Sequence, residues 1–176
     1  MTRFVWLLLL GFLLGGCAGN IPKEIRTPPP GNPPLQAVRA EPQRFTGVHV
    51  RWGGTIAEVQ NRRHDTWVEV VARDLENSGR PIEDSRALGR FLVKIRGFVD
   101  PAVLAKGKAL TVSGVVEGMV TKPIGDYPYR FPVVGAQTYY LWEPLPKYSP
   151  SDYPPWYYDP WYPFYYPYGP WPRPFP

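Results

Sequence analysis

The stretch RFLVKIRG, residues 90–97, decides the fold class of this chain. Phe91, Val93 and Ile95 alternate with more polar neighbours, so an extended segment here has one apolar face and one charged face. This period of two is typical of a half-buried β-strand. The core should therefore be built from a sheet.

Two segments before this strand show the same alternation. In the first, the apolar residues of one parity are Val48, Val50, Trp52 and Ile56. The second covers residues 66–71, where Val68 and Val70 share a face. A polar turn at residues 61–65 separates the two segments, which predicts a β-hairpin.

Further strands follow residue 97. Residues 110–118 alternate again, and residues 129–142 can supply one or two closing strands. Asp100-Pro101 pairs an N-capping side chain with a proline at a first helical position, which predicts one short helix before Gly107. The chain is thus predicted to be mainly β: a small antiparallel, OB-like Greek-key barrel of five or six strands with one short helix.

Proline-rich segments flank this β-barrel domain, which we place at residues 45–145. Residues 17–44 contain clustered prolines and few bulky apolar side chains, which predicts an extended, semi-rigid tether. Residues 146–176 alternate proline with Tyr, Trp and Phe, and the prolines disfavour helix and paired strand. This tail suits a membrane interface, a polysaccharide or a partner's groove, or it folds back over the domain.

Residues 1–16 have the pattern of a cleavable signal peptide, with Arg3 before an apolar run from Phe4 to Leu14. As a helix this run rises only about 16 Å, roughly half of a bilayer's hydrocarbon core, so it predicts export and not a permanent span.

A lipobox follows, formed by Leu14, Gly15, Gly16 and Cys17. We expect Cys17 to carry an S-diacylglycerol group and an N-acyl chain, which together hold the mature protein on a membrane. The alternative is an ordinary signal peptide followed by a chance cysteine, but Cys17 is the only cysteine in the chain. Ala18 stands where an aspartate is the usual inner-membrane retention signal, which favours the outer membrane, with the domain facing the periplasm.

Composition limits the partners. The formal charge of +5 is mild, and the basic residues are scattered without forming a stripe, so nucleic acid is not an expected partner. One cysteine excludes an intramolecular disulfide, so the fold depends on its core alone.

Few residues suggest catalysis or metal binding. His49 and His64 have no second ligand at metal spacing, and the sequence at His64 is better explained as a polar turn. The carboxylates that could pair for hydrolysis are Glu58, Glu69, Asp100 and Glu117. Two of them fall on outer strand faces and Asp100 caps the short helix, so we expect no catalytic residue, no metal site and no cofactor beyond the lipid.

Trp52 and Trp67 lie on neighbouring predicted strands and could stack a sugar ring or another flat ligand. Core packing is the favoured interpretation for both, because a small barrel needs large side chains to fill it.

Several short motifs appear in a fixed order after the lipobox. They are VRWGG at 50–54, GRFL at 89–92, GFVDP at 97–101, LTVSG at 110–114 and YLW at 140–142. Together they make the chain resemble the Slp family of starvation-inducible outer-membrane lipoproteins, from the signal to about Trp142. The resemblance implies a periplasm-facing outer-membrane lipoprotein linked to stress or stationary phase, with no established enzyme activity.

Three hypotheses therefore stand. The first is a structural or interaction lipoprotein of the cell envelope, attached to the membrane by its lipid. The second is a periplasmic binding module for cell-wall glycan such as peptidoglycan, or for an envelope protein partner. The third and weakest is an envelope hydrolase.

Overall fold

The computed structural model describes residues 21–145, and in this range the chain is mainly β, as predicted. The five strands are β1 (His49–Asn61), β2 (Asp65–Ala72), β3 (Gly89–Arg96), β4 (Ala109–Ile124) and β5 (Tyr127–Trp142). Three short helices precede them: α1 (Lys23–Arg26), α2 (Leu35–Ala40) and α3 (Pro42–Phe45).

The strands close into a barrel in the order β1-β2-β3-β5-β4, with β4 returning to β1. Four of the five strand pairs are antiparallel, including the predicted hairpin of β1 and β2. The pair β3–β5 is parallel, so the predicted all-antiparallel sheet is wrong at this seam. A parallel pair needs a long crossover connection, and here β4 and the loops on either side of it supply one.

Alternate residues of the strands fill the barrel. Phe91 and Val93 are fully buried there, as are Val68 and Val70 of the neighbouring strand. The inward faces predicted from the alternation of β1 to β4 are confirmed by this cluster. The closing segment forms one strand of 16 residues, β5.

The predicted short helix after Asp100 does not form, and residues 101–104 are turns. Asp100 still acts as a capping residue, since its Oδ1 accepts a hydrogen bond from Ala102 N at 2.8 Å. The segment ends at Gly107, whose φ of 90° favours glycine. Leu104 is fully buried against the barrel core, and Gly107 N donates a hydrogen bond to Ile56 O at 2.8 Å, so the turn is attached to the barrel by both contacts.

Residues 21–45 correct the predicted tether, because they are folded onto the barrel. Ile25, Leu35 and Val38 are buried, and two of them join the main core. The prolines do not keep the segment extended: Pro22 and Pro34 precede α1 and α2, and Pro42 begins α3. Proline is favoured at helix starts because its missing N–H has no helical partner there.

The signal peptide, the lipobox and the tail at 146–176 lie outside the described residues. Within residues 21–145, no helix is both long and apolar enough to cross a membrane.

Candidate functional site

The two strands of the β4–β5 hairpin are longer than the other three strands. The end of this hairpin lies against the outer faces of β1, β2 and β3. A second apolar cluster forms beneath it, in which Leu92 of β3 meets Phe131 and Val133 of β5. Phe131 has no exposed surface although it points away from the barrel interior. The hairpin thus covers the strand face that an OB-like barrel would be expected to offer to a ligand.

A cleft of about 220 Å³ remains between this hairpin and the barrel wall. The residues that give it its chemistry are Glu58, Arg62, Trp67, Glu69, Leu92 and Lys122. It combines an aromatic ring, an apolar floor and charges of both signs.

Lys122 connects the hairpin to the barrel wall. Its Nζ lies 2.6 Å from Glu58 Oε2 and 3.1 Å from Glu69 Oε2. Glu69 is almost completely buried and has a second cation, Arg90, whose Nη1 lies 2.5 Å from Oε1. A buried carboxylate requires such partners, because an unpaired charge away from water is costly.

The contacts of Lys122 shift two pKa values in the cleft, that of Glu58 and that of Lys122 itself. The hydrogen bond from Lys122, followed by that from Gln60, holds the pKa of Glu58 below its usual value. Burial alone lowers the pKa of Lys122, but hydrogen bonds to Glu58 and Glu69 outweigh it, and the pKa is raised. A general acid needs the opposite shift in its carboxyl pKa, so Glu58 is not arranged to donate a proton.

The structure separates the two tryptophans that were predicted to stack a ligand. Trp52 lies in the core with its ring centroid 5.4 Å from that of Phe91, and its Nε1 donates to Pro33 O at 2.9 Å. Trp52 is therefore a core residue, which is the interpretation that the sequence favoured for it. Trp67 is half-buried at the cleft, and the Arg62 guanidinium lies 4.0 Å from its ring centroid. A ligand stacking there would have to displace Arg62.

The other candidates are dispersed. His64 lies in the exposed turn between β1 and β2, and His49 Nε2 lies 3.2 Å from Ser113 Oγ. Glu117 pairs with Lys94 at 3.0 Å, and Asp100 caps its turn. Within residues 21–145, no three His, Cys, Asp or Glu side chains are grouped to hold a metal ion.

A second polar site, which the sequence did not indicate, fixes the N-terminal segment. Arg51 Nη1 donates to the carbonyl oxygens of Ile25 at 2.9 Å and Arg26 at 2.7 Å. Asn32 Oδ1 accepts a hydrogen bond from Arg51 N at 2.8 Å, so it takes the place of a backbone carbonyl oxygen of a neighbouring strand. The only available signal was an arginine between buried residues of an alternating strand.

Comparison with known proteins gives one family. The sequence profile described as "Outer membrane lipoprotein Slp family" matches residues 14–171. The match therefore extends well beyond Trp142, where the resemblance seen in the short motifs ended.

Individual relatives agree with this family. The chain is 32% identical over 149 residues to "Uncharacterized lipoprotein YeaY" of Escherichia coli, covering 83% of this chain and 76% of the relative. It is also 32% identical over 148 residues to "Outer membrane protein Slp" of the same organism, covering 81% and 76%. An "Uncharacterized protein" of Haemophilus influenzae is 34% identical over 106 residues, or 60% of this chain and 56% of the relative.

Proposed function

We propose that this chain, which belongs to the outer membrane lipoprotein Slp family, is held on its membrane by lipid on Cys17 and acts as a structural or interaction protein of the cell envelope. Family membership places it among the outer-membrane lipoproteins of Gram-negative bacteria. The evidence for lipid attachment is the lipobox, in which the chain's single cysteine stands at the position that would receive the lipid.

The described residues favour a structural role over turnover. The carboxylates of the cleft are paired with Lys122 and Arg90, and the pKa of Glu58 is lowered. Hydrolysis by two carboxylates needs one proton donor and one base at the same bond, and this arrangement offers neither free. A role in envelope integrity during stress or stationary phase is part of the proposal and follows from the family resemblance.

Replacing Cys17 tests the attachment. We expect Cys17→Ser to be exported and lost from the membrane fraction on washing, because the thiol that accepts the diacylglyceryl group is gone. Ala18→Ser is the matched control, since it alters the adjacent residue and keeps the thiol. An exported Cys17→Ser protein that stays with the membrane through a high-salt wash would show that lipid on Cys17 is not the attachment.

The cleft at Trp67 supports a second candidate, a binding module for cell-wall glycan. Trp67 is a half-buried aromatic ring beside the amide of Gln60 and several charged side chains, so it offers a flat apolar surface and hydrogen-bonding groups to a sugar ring. Purified peptidoglycan should retain the mature chain, and Trp67→Ala should reduce retention several-fold. Tyr127→Ala is the control, because Tyr127 is an exposed aromatic residue at the hairpin tip.

The aromatic tail needs its own comparison in this experiment. A chain ending at Pro144 should bind as well as the full chain if Trp67 carries the binding, and less if the tail does. Background retention of every form would remove glycan binding as a function.

A further inference from the structure

The described fold begins very near Cys17. Ile21 is half-buried against a small cluster that contains Ile25 and Trp142, and Ile25 has no exposed surface. Only residues 18–20 separate Cys17 from Ile21. Even a fully extended chain spans at most about 3.6 Å per residue, so this connection reaches about 14 Å.

The packing of α1 prevents this connection from lengthening. Its last carbonyl oxygens accept hydrogen bonds from Arg51, which is nine-tenths buried. On the other side, Gly79 approaches so closely that an added Cβ would lie 2.2 Å from Ile25 O. Releasing α1 would break these contacts and expose Ile25.

The C-terminal segment leaves the fold at the same place. Trp142, the last residue of β5, packs against Ile25, and the Arg80 guanidinium lies 5.4 Å from its ring centroid. The segment that follows is rich in Tyr and Trp, the residues enriched where a bilayer meets water. Both ends of the fold therefore lead from one patch, which we call the anchor face: residues 21–26, Arg80 and residues 140–144.

We propose that the anchor face rests on the lipid headgroups of the membrane that holds Cys17. The barrel then has a fixed orientation relative to this membrane and is not separated from it by a flexible linker. This inference relies on the lipid attachment proposed above. The occupant follows from the short connection, since acyl chains on Cys17 bring lipid within about 14 Å of Ile21.

The surface chemistry of the anchor face fits this position. Lys23 and Arg26 are exposed on α1, and Ile21 and Tyr140 are half-buried beside Ile25 and Trp142. Glu24 and Glu143 are also exposed here and offset the positive charges. The contact should therefore depend on the lipid anchor and on apolar and aromatic groups, and only weakly on salt.

The tip of the β4–β5 hairpin lies at the other end of β4 from the anchor face. Ala109 lies in the cluster with Ile25, whereas Asp126 lies in the turn at the far end of β4. At about 3.3 Å per residue, β4 measures on the order of 50 Å along its path. Asp126 should thus stand clear of the headgroups.

Two matched reporters test the orientation. Glu24→Cys and Asp126→Cys each replace one exposed acidic residue, and the new thiol is the only free one once Cys17 carries lipid. Each full-length lipidated protein is labelled with a fluorophore and placed in phosphatidylethanolamine–phosphatidylglycerol vesicles containing a lipid with a nitroxide on its headgroup. The mass of the N-terminal peptide verifies acylation first, so a failure of lipid attachment is recognised separately.

We expect the nitroxide lipid to quench the label at position 24 several-fold more than the label at position 126. The ratio should persist at high salt. Equal quenching at the two positions, or stronger quenching at position 126, would overturn the proposed orientation. Detergent solution without nitroxide lipid supplies the reference intensity for both labels.

Discussion

Arg51 lies on the outer face of β1 and is nevertheless almost completely buried, because the N-terminal segment covers it. Hydrogen bonds from a charged group are worth about 1.5–3 kcal/mol each, and Arg51→Ala removes two. We expect the free energy of unfolding to fall by about 2 kcal/mol or more, measured by urea denaturation. Trypsin should also cut after Arg26 much faster.

Arg44→Ala provides the comparison for this prediction. Arg44 is exposed, and its salt bridge to Glu41 is a surface pair at 3.4 Å, worth little to stability. If Arg51→Ala and Arg44→Ala lost equal stability and were cut equally fast, Arg51 would not be what holds the N-terminal segment.

Lys122 should make stability depend on pH at both ends of the range. The lowered pKa of Glu58 contributes stability that is present above the unfolded value, about 4.3, and is lost as the pH falls through the folded value. The raised pKa of Lys122 contributes stability present below about 10.4 and lost as the pH rises through the folded value.

Lys122→Met should flatten both limbs of a plot of melting temperature against pH. At neutral pH the loss should be about 1 kcal/mol or less, because Glu58 is half exposed and Glu69 keeps Arg90. Lys23→Met serves as a control, since Lys23 is exposed, lies outside the cleft and makes no salt bridge within residues 21–145. Unchanged limbs in Lys122→Met would contradict the assignment.

For three single residues, Trp52, Trp67 and Lys122, the sequence did not predict the surroundings of the side chain. The alternation of β1 placed Trp52 correctly among inward residues, but could not tell a core ring from a ligand platform. The alternation of β2 did not indicate that the β4–β5 hairpin would cover Trp67, because the residues of this hairpin lie far along the chain. Lys122 was missed since the predicted fourth strand ended at residue 118, before the part that leaves the barrel.

At the scale of elements, the β4–β5 hairpin depends on one apolar anchor. Phe131 is fully buried between the hairpin and β3, so Phe131→Ala should lower the free energy of unfolding by about 3–5 kcal/mol. Because the hairpin covers Leu92, a hydrophobic dye should bind the variant more strongly. Tyr127→Ala, at the exposed tip, should do neither. A small loss in Phe131→Ala would mean that the hairpin is only loosely docked.

The elements predicted wrongly share a physical reason. In residues 17–44 the average composition is that of a spacer, but folding is decided by the isolated Ile25, Leu35 and Val38, which find pockets on the barrel. At residues 101–104 the predicted capping by Asp100 is present. A single turn is nevertheless enough to bury Leu104, and the segment ends at Gly107 before a helix can form. Strands were predicted better because their period of two extends over many residues.

For the molecule as a whole, β5 completes the barrel and should be indispensable. It pairs with β3 on one side and β4 on the other, and its last residue covers Ile25. A chain ending at Gln137 should show no cooperative thermal transition by circular dichroism. A chain ending at Pro144 retains β5 and should melt cooperatively. A cooperative transition in the shorter chain would show that the barrel closes without the end of β5.

The fold class and the family could be read from the sequence because both rest on local patterns, such as strand alternation and short motifs. The parallel seam, the covered outer face and the Arg51 site could not, since each joins segments far apart in the chain. The same distance separates the two sides of the candidate cleft, whose charged groups come from β1, β2 and β4.

The seam between β3 and β5 also affects how the protein is made. A chain made from its N-terminus delivers α1 early and Trp142 late, so the cluster around Ile25 is incomplete and β3 has an open edge until nearly all of the domain is present. Contacts between such distant segments form slowly, and an open strand edge with exposed apolar side chains promotes aggregation. Until its last strand is in place, the polypeptide is therefore in its most aggregation-prone form.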